Sequence, residues 1–227
     1  MAITPIETKY AGCKFRSRLE ARWAVFFDTL GIKWQYEPQG YVVNGKPYLP
    51  DFRLPDLKAF VEVKGDATKL DFKVLTDLAE KSPRDTLFVL ILGEIPAHEE
   101  NTLPTHAMFS PVFDWRSGVG GELNGRPSME VADQALTAMR SLEEPARSAV
   151  QKLFDHERRQ TVVCQRVMFM PTDGGHLFPL GPANAFSSVE EILNPPLLRI
   201  FRTAPVVAAA YEAARSARFE HGESGAR

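Results

Sequence analysis

Asp51, Glu62 and Lys64 are the residues of this sequence whose types and spacing best suit metal-assisted chemistry. Two carboxylates and an ammonium held at one edge of a sheet are costly unless a cation compensates the excess negative charge. Carboxylate oxygens are the ligands that Mg²⁺ and similar hard cations prefer. The pattern therefore predicts a divalent-cation site at Asp51 and Glu62, with Lys64 beside it.

A hairpin is the element that would bring these side chains together. Residues 48–52 and 60–65 alternate between apolar and polar side chains, which predicts two strands. The connection over residues 53–58 contains a Pro-Asp turn signal. The two strands are therefore predicted to lie side by side, with Asp51 next to Glu62.

A helix is predicted over residues 17–31, and Glu20 is its unusual residue. The apolar residues at helical spacing are Leu19, Trp23, Phe26, Phe27 and Leu30. Glu20 falls within this apolar stripe rather than opposite it. One interpretation is a capping box, in which Ser17 and Glu20 satisfy the first amides of the helix. The other is that the carboxylate points over the sheet toward Asp51 and Glu62, and one residue can serve both roles at different times.

The following segments have the pattern of an α/β domain. Residues 33–38 and 41–43 are predicted strands, residues 69–81 a helix, and residues 86–93 a strand buried on both faces. A strand, a helix and a buried strand in succession indicate a crossover to a parallel neighbour. The fold class that follows is α/β.

The second half of the chain has a weaker pattern. Its predicted helices are residues 128–140, 144–159, 187–193 and 205–219. Its predicted strands are residues 107–109, 112–115, 161–164 and 167–170, with a Gly-rich linker over residues 117–127. We therefore expect a core over residues 1–105 and a mainly helical extension over residues 106–227, packed on the core for DNA binding or oligomerisation.

Composition excludes few classes of protein. The chain has 227 residues, 44% hydrophobic and 25% charged, and a formal net charge of −2, so positive charge for a nucleic acid would have to be local. No apolar run is long enough for a membrane span, and the first residues lack the pattern of a secretory signal. Cys13 and Cys164 form no disulfide framework and share no metal-ligand spacing with the five histidines. A cytoplasmic location is expected.

The order of Glu20, Pro50-Asp51 and Glu62-Val63-Lys64 resembles the PD-(D/E)XK nuclease superfamily. Four strings resemble small members carried by phages and mobile elements: Phe-Arg-Ser-Arg-Leu-Glu-Ala-Arg-Trp-Ala from residue 15, Tyr-Glu-Pro from 36, Leu-Pro-Asp-Phe from 49, and Val-Glu-Val-Lys-Gly from 61. The resemblance covers roughly residues 7 to 95, and residues 211–222 resemble the ending of such members. It implies a restriction-endonuclease-like core, with a mixed central sheet flanked by helices, in a bacterial or phage-infected cell.

The activity that the resemblance implies is Mg²⁺- or Mn²⁺-dependent hydrolysis of DNA phosphodiester bonds. Hard cations activate water and stabilise charge on phosphoryl oxygens, and Asp51 and Glu62 would hold the ion. The resemblance adds the Val63 carbonyl as a ligand. Glu20 would bind a second ion or a metal-bound water, and Lys64 would orient the attacking water or neutralise charge on the phosphate. Without a metal, at least one of the three carboxylates should have a raised pKa.

DNA contact is predicted for six basic residues, for each of which an ordinary solvated surface is the alternative. They are Arg16, Arg18, Lys69, Lys73, Arg215 and Arg218. No helix-turn-helix or zinc-finger motif is evident, which favours recognition of DNA structure or ends over a fixed sequence. Structural zinc is not expected. The alternative functions are a non-catalytic DNA-binding or assembly module that retains the nuclease fold, and a purely structural α/β protein. Beyond DNA, the expected partner is a second copy of the chain or a recombination or replication protein.

Overall fold

The computed structural model describes residues 6–81, 88–97, 102–111, 162–171, 176–182, 188–199 and 203–219. The strands within these ranges are β1 Thr8–Tyr10, β2 Cys13–Phe15, β3 Gln35–Tyr36, β4 Tyr41–Val43, β5 Lys46–Tyr48, β6 Phe52–Leu54, β7 Ala59–Val63, β8 Phe88–Leu92, β9 His106–Pro111, β10 Val162–Met170 and β11 His176–Pro182. The helices within them are α1 Arg18–Thr29, α2 Phe72–Lys81, α3 Val189–Leu193 and α4 Pro205–Ser216, and a 3₁₀ turn spans Ala67–Lys69.

A mixed sheet forms the centre of the α/β fold. In the described part of the chain it has seven strands in the order β11-β10-β9-β8-β7-β6-β3. β7 and β8 pair in parallel, and every other neighbouring pair is antiparallel. Because α2 lies between β7 and β8 in sequence, the predicted crossover to a parallel strand is confirmed. Two small hairpins, β1–β2 and β4–β5, lie outside this sheet.

Helices cover both faces of the sheet. Val61 and Val63 of β7 belong to the buried cluster that contains the apolar residues of α1 and α4. Phe60 of the same strand belongs to the opposite cluster, with α2, α3 and Val43 of the β4–β5 hairpin. This alternation is what a two-residue period produces when both faces are buried.

The first helix confirms its sequence prediction closely. Ser17 caps it by accepting a hydrogen bond from the Glu20 amide, and Gly31, with φ +68°, follows its last turn. Trp23 is fully buried, and its Nε1 donates a 2.9 Å hydrogen bond to the Gly93 carbonyl just beyond β8. That bond fixes the first half of α1 against the end of β8.

The predicted hairpin exists, but its first strand lies elsewhere. The strand predicted over residues 48–52 is wrong in position, since β5 ends at Tyr48 and pairs with β4, and β6 begins at Phe52. Pro50 has no N–H to contribute to a strand ladder, so the chain breaks there and pairing resumes at Phe52. Asp51 therefore lies immediately before β6 and not inside a strand.

Two other predicted boundaries also shift. α2 begins at Phe72 rather than at residue 69, because the side chain of Asp66 caps a separate 3₁₀ turn over Ala67–Lys69. α4 ends at Ser216, whereas residue 219 was predicted.

The second half of the chain contributes strands as well as helices. β9 pairs with β8, β10 with β9, and β11 with β10, and α4 packs on α1. The described part of residues 106–227 is thus joined to the core by a continuous strand ladder, and the division into two domains at residue 105 stays a prediction. The predicted helices over residues 128–140 and 144–159, most of the 112–115 strand and the 117–127 linker lie outside the described residues. No helix among the described residues has the length and apolar character needed to cross a membrane.

Candidate active site

Asp51, Glu62 and Lys64 meet at the carboxyl end of β7. Phe52 of β6 pairs with Val61 of β7, so continuing the antiparallel register by one residue places Asp51 opposite Glu62. Lys64 follows the last residue of β7, and its amide donates a 3.0 Å hydrogen bond to the Leu92 carbonyl of β8. The sheet itself therefore positions all three residues.

The Lys64 ammonium lies among three oxygen-bearing groups. Its Nζ is 2.6 Å from Glu62 Oε1 and 3.5 Å from Asp51 Oδ2. It also donates a 3.2 Å hydrogen bond to the Val63 carbonyl. Asp51 Oδ2 accepts a 2.7 Å hydrogen bond from the Val63 amide as well, which orients this carboxylate toward β7.

Both carboxylates are buried. Asp51 is 6% exposed and Glu62 is 7% exposed, whereas 27% of the Lys64 side chain is exposed. Burial, followed by the charge of Glu62, raises the pKa of Asp51 to about 7. Burial lowers the pKa of Lys64, but the charges of Asp51 and Glu62 more than offset this effect and raise it overall. Asp51 therefore has a raised affinity for a proton. The excess negative charge of Asp51, Glu62 and Lys64 together also attracts other cations.

Tyr48 is a site residue that the sequence interpretation did not identify. Its hydroxyl donates a 2.5 Å hydrogen bond to Glu62 Oε2. Burial, and then the charge of Glu62, raise the pKa of Tyr48 well above its ordinary value, so the hydroxyl keeps its proton. The signal that could have found it is the Asn44-Gly45 turn, whose positive φ angles fold β4 and β5 into a hairpin that ends at Tyr48.

Glu20 is held by the start of its own helix and by Tyr36. Oε1 accepts a 2.7 Å hydrogen bond from Ser17 Oγ, and Oε2 accepts one of 2.7 Å from the Tyr36 hydroxyl and one of 3.1 Å from the Arg16 amide. Burial, followed by the hydrogen bond to Glu20, raises the pKa of Tyr36. The capping interpretation is confirmed in its N-cap half, whereas the reciprocal bond comes from Arg16 rather than from Ser17.

Glu20 and Glu62 belong to elements on different faces of β7. α1 covers the face that carries Val61 and Val63, whereas the two-residue period places Glu62 on the other face. In the described part of the chain, Glu20 makes no hydrogen bond to Asp51, although its charge contributes to the raised pKa of Asp51. Within these residues no three acidic, histidine or cysteine side chains lie close enough to hold a metal ion together. Metal binding by Glu20 stays a prediction.

Four of the predicted DNA-binding residues are exposed in the first half of the chain. Arg16 forms an ion pair with Glu37, the residue after Tyr36, and Arg18 is the first residue of α1. Lys69 lies 4.0 Å from Asp66, and Lys73 lies 3.0 Å from Asp77. Arg16 and Arg18 therefore lie just before Glu20 in the chain, whereas Lys69 and Lys73 lie on the face covered by α2.

Arg215 and Arg218 lie toward the other end of α1. Phe219 packs against Tyr10 with ring centroids 6.2 Å apart, and the Tyr10 hydroxyl donates a 2.7 Å hydrogen bond to Asp28 near the end of α1. Glu20 lies in the first turn, about 12 Å from Asp28 at 1.5 Å per residue. These contacts place the segment that follows α4 nearer to Asp28 than to Glu20.

The oxygen atoms at the end of β7 fit a hard divalent cation. Asp51 and Glu62 offer carboxylate oxygens and Val63 offers a carbonyl, which is the donor set that Mg²⁺ and Mn²⁺ accept. One ammonium faces two buried carboxylates, so a second positive charge would be favourable there.

Comparisons with known proteins identify no relative of this chain. Neither a family model, nor a curated protein, nor a solved structure matches this chain, so any assignment of function depends on the chemistry of the site itself.

Proposed function

We propose that this protein is a Mg²⁺- or Mn²⁺-dependent nuclease that hydrolyses DNA phosphodiester bonds at the carboxyl end of β7, within a restriction-endonuclease-like core. The observation that carries the proposal is the convergence of Asp51, Glu62 and Lys64. Two carboxylates only 6% and 7% exposed, with one ammonium between them, are an expensive arrangement for a protein that needs only stability. Such arrangements are typical of functional sites.

Each residue has a defined part in the proposed reaction. Asp51, Glu62 and the Val63 carbonyl would hold the cation, which when bound would polarise the phosphate and lower the pKa of a water. The Val63 amide and the Tyr48 hydroxyl orient the two carboxylates through bonds of 2.7 and 2.5 Å. Lys64 places a positive charge where it can orient a water or stabilise charge on the phosphate. Glu20 accepts hydrogen bonds from three donors, so its oxygens would be shared between these donors and any ion that it bound.

DNA is the proposed substrate because two exposed arginines lie near the acidic residue Glu20. Arg16 and Arg18 lie at the start of α1, beside Glu20, and both are exposed. Contacts from arginine to backbone phosphates bind DNA without reading its sequence. We therefore propose recognition of DNA structure or ends, in the cytoplasm of a bacterial or phage-infected cell, rather than recognition of a fixed sequence.

The test is cleavage of supercoiled, linear and branched DNA with Mg²⁺ or Mn²⁺ and with a chelator. We expect metal-dependent cleavage that Asp51→Asn and Glu62→Gln each reduce about 100-fold or more, since each removes charge that binds the ion. Asp56→Asn is the matched control, because Asp56 is a surface residue paired with Lys33. Cleavage that persists in chelator, or that is equal in Asp51→Asn and Asp56→Asn, would contradict the proposal.

A non-catalytic DNA-binding module is the second candidate. The observation that favours it is that Glu20 and Lys64 are both satisfied by neighbouring protein groups. This candidate predicts DNA binding without cleavage of any substrate, with the same affinity for DNA in Asp51→Asn as in the wild type.

A further inference from the structure

The ammonium of Lys64 contacts the same three groups that would hold the proposed cation. Its Nζ lies 2.6 Å from Glu62 Oε1, 3.2 Å from the Val63 carbonyl and 3.5 Å from Asp51 Oδ2. We propose that Lys64 holds the place of the divalent cation in the metal-free protein, so that the cation and the ammonium compete for the same oxygens. This inference rests on the proposed function, because it concerns the same cation site.

Charge compensation explains why the metal-free site needs an occupant. Two buried carboxylates that face each other without a cation repel and lose their hydration. Lys64 supplies one positive charge at hydrogen-bonding distance from Glu62 and from the Val63 carbonyl. The arrangement is therefore stable without a metal, but it leaves one negative charge unmatched when both carboxylates are ionised.

The side chain of Lys64 can leave while its main chain stays. The Lys64 amide is bonded to the Leu92 carbonyl at 3.0 Å, which anchors the backbone to β8. The side chain has four flexible carbons and is 27% exposed, so its ammonium has a route to solvent. A cation that takes the oxygens would thus release an ammonium beside the site, where it is available to a phosphate or to a water.

The experiment compares Mn²⁺ binding to the wild type, to Lys64→Met and to Lys33→Met, using the full chain without DNA. Lys33 is the matched control because it is a surface lysine paired with a carboxylate, Asp56, at 3.1 Å. We expect Lys64→Met to bind Mn²⁺ about tenfold more tightly or better, which corresponds to about 1.4 kcal/mol. Lys33→Met should bind Mn²⁺ as the wild type does.

A second measurement separates direct competition from repulsion at a distance, because only direct competition moves the ammonium away from the oxygens. In the wild type, Mg²⁺ should also move the Lys64 ammonium resonance in a ¹⁵N NMR spectrum to the position of a solvent-exposed lysine. This second measurement needs no variant, so it applies even if Lys64→Met fails to fold without metal.

The outcomes distinguish this inference from the proposed function. If the wild type binds Mn²⁺ and cleaves DNA but Lys64→Met binds equally or more weakly, only the inference is overturned. The inference is also overturned if Mg²⁺ binds to the wild type and leaves the ammonium resonance unmoved. If neither protein binds Mn²⁺, the proposed function fails and the inference fails with it.

Discussion

Tyr48 and Glu62 are joined by a 2.5 Å hydrogen bond from the hydroxyl to Oε2, while Oε1 of the same carboxylate meets Lys64 at 2.6 Å. Both oxygens of Glu62 are therefore fixed by neighbours from two different elements, the β4–β5 hairpin and the end of β7. A hydroxyl outside the cluster of Asp51, Glu62 and Lys64 thus contributes to the geometry of the site.

Tyr48→Phe should destabilise the folded protein and slow DNA cleavage. A hydrogen bond to a charged group contributes about 1.5 to 3 kcal/mol, so we expect the free energy of unfolding in urea to fall by about that amount. DNA cleavage should slow by about tenfold, because Glu62 loses one orienting donor. Tyr41→Phe is the control: its ring packs on Phe60 at 5.1 Å, and its hydroxyl has no hydrogen bond among the described residues. Equal behaviour of the two variants would show that the Tyr48 hydroxyl is dispensable.

Glu20→Gln should affect stability more than catalysis. The amide nitrogen of glutamine would replace an oxygen that now accepts from Ser17, or one that accepts from Tyr36 and Arg16. We expect the free energy of unfolding to fall by about 1 to 2 kcal/mol, the usual cost of a lost helix cap. DNA cleavage, measured beside Asp51→Asn, should fall less than in that variant. A loss of cleavage as complete as in Asp51→Asn, with unchanged stability, would instead make Glu20 a metal ligand.

Asp51 should make the metal-free protein less stable as pH rises from about 4 to 7. Its pKa is raised from 3.8 to about 7, so the folded protein holds the proton more tightly than the unfolded chain does. The stabilisation is complete below the unfolded pKa and is lost as pH rises through the folded pKa, by up to about 1.4 kcal/mol per pH unit. Urea unfolding of the wild type and Asp51→Asn in chelator measures this slope as the difference between them. A difference that does not change with pH would contradict the raised pKa.

The contribution of His106 to the stability of the protein should depend on pH in the opposite direction to that of Asp51. It is 1% exposed, its Nε2 lies 2.7 Å from the Tyr211 hydroxyl, and burial lowers its pKa from 6.5 to about 3. Because the folded pKa is lowered, its stabilisation is present above about pH 6.5 and is lost as pH falls toward about 3. The wild type should therefore lose stability relative to His106→Gln between these values, measured by urea unfolding in chelator. Parallel stability curves for the two proteins would exclude a buried neutral histidine.

Gly93→Ala should destabilise the packing of α3 on the sheet. An added Cβ would collide with the side-chain oxygen of Asn194 and the carbonyl of Leu193, at the end of α3. Overpacking of this kind costs about 1 to 3 kcal/mol, because a backbone carbonyl cannot move aside as a flexible side chain can. Gly40→Ala is the control, since its Cβ would meet only the Tyr48 carbonyl at 3.9 Å. Equal unfolding midpoints for both variants would argue against this contact.

The sequence predicts helices and strands well where the apolar residues recur with a single, clear spacing. The apolar stripe of α1 and the β7–α2–β8 unit are identified correctly because a 3.6-residue or continuous apolar pattern is enough to specify them. β11 was not predicted, since Pro179, Gly181 and Pro182 interrupt any strand pattern; prolines are tolerated in edge strands, and β11 is the outermost strand of the sheet as far as the structure describes it.

The site is predictable in part for a related reason. Asp51, Glu62 and Lys64 converge as expected because adjacent strands bring them together. The roles of Tyr48 and Tyr36 depend on where a hydroxyl ends after packing, which local sequence does not encode. The contacts of Glu20 depend on which face of the sheet α1 covers, and that is a property of the whole fold.

The contact between α1 and α4 determines when the protein can acquire its final shape during synthesis. Tyr211 packs against Phe26 and Trp23 with ring centroids 4.5 and 6.3 Å apart, although the two helices lie near opposite ends of the chain. The part of the apolar side of α1 that Tyr211 covers therefore stays exposed on the ribosome until residues 205–216 have emerged. A nascent chain released at residue 105 would carry Asp51, Glu62 and Lys64 but not α4, and we expect it to be a substrate for chaperones rather than a working domain.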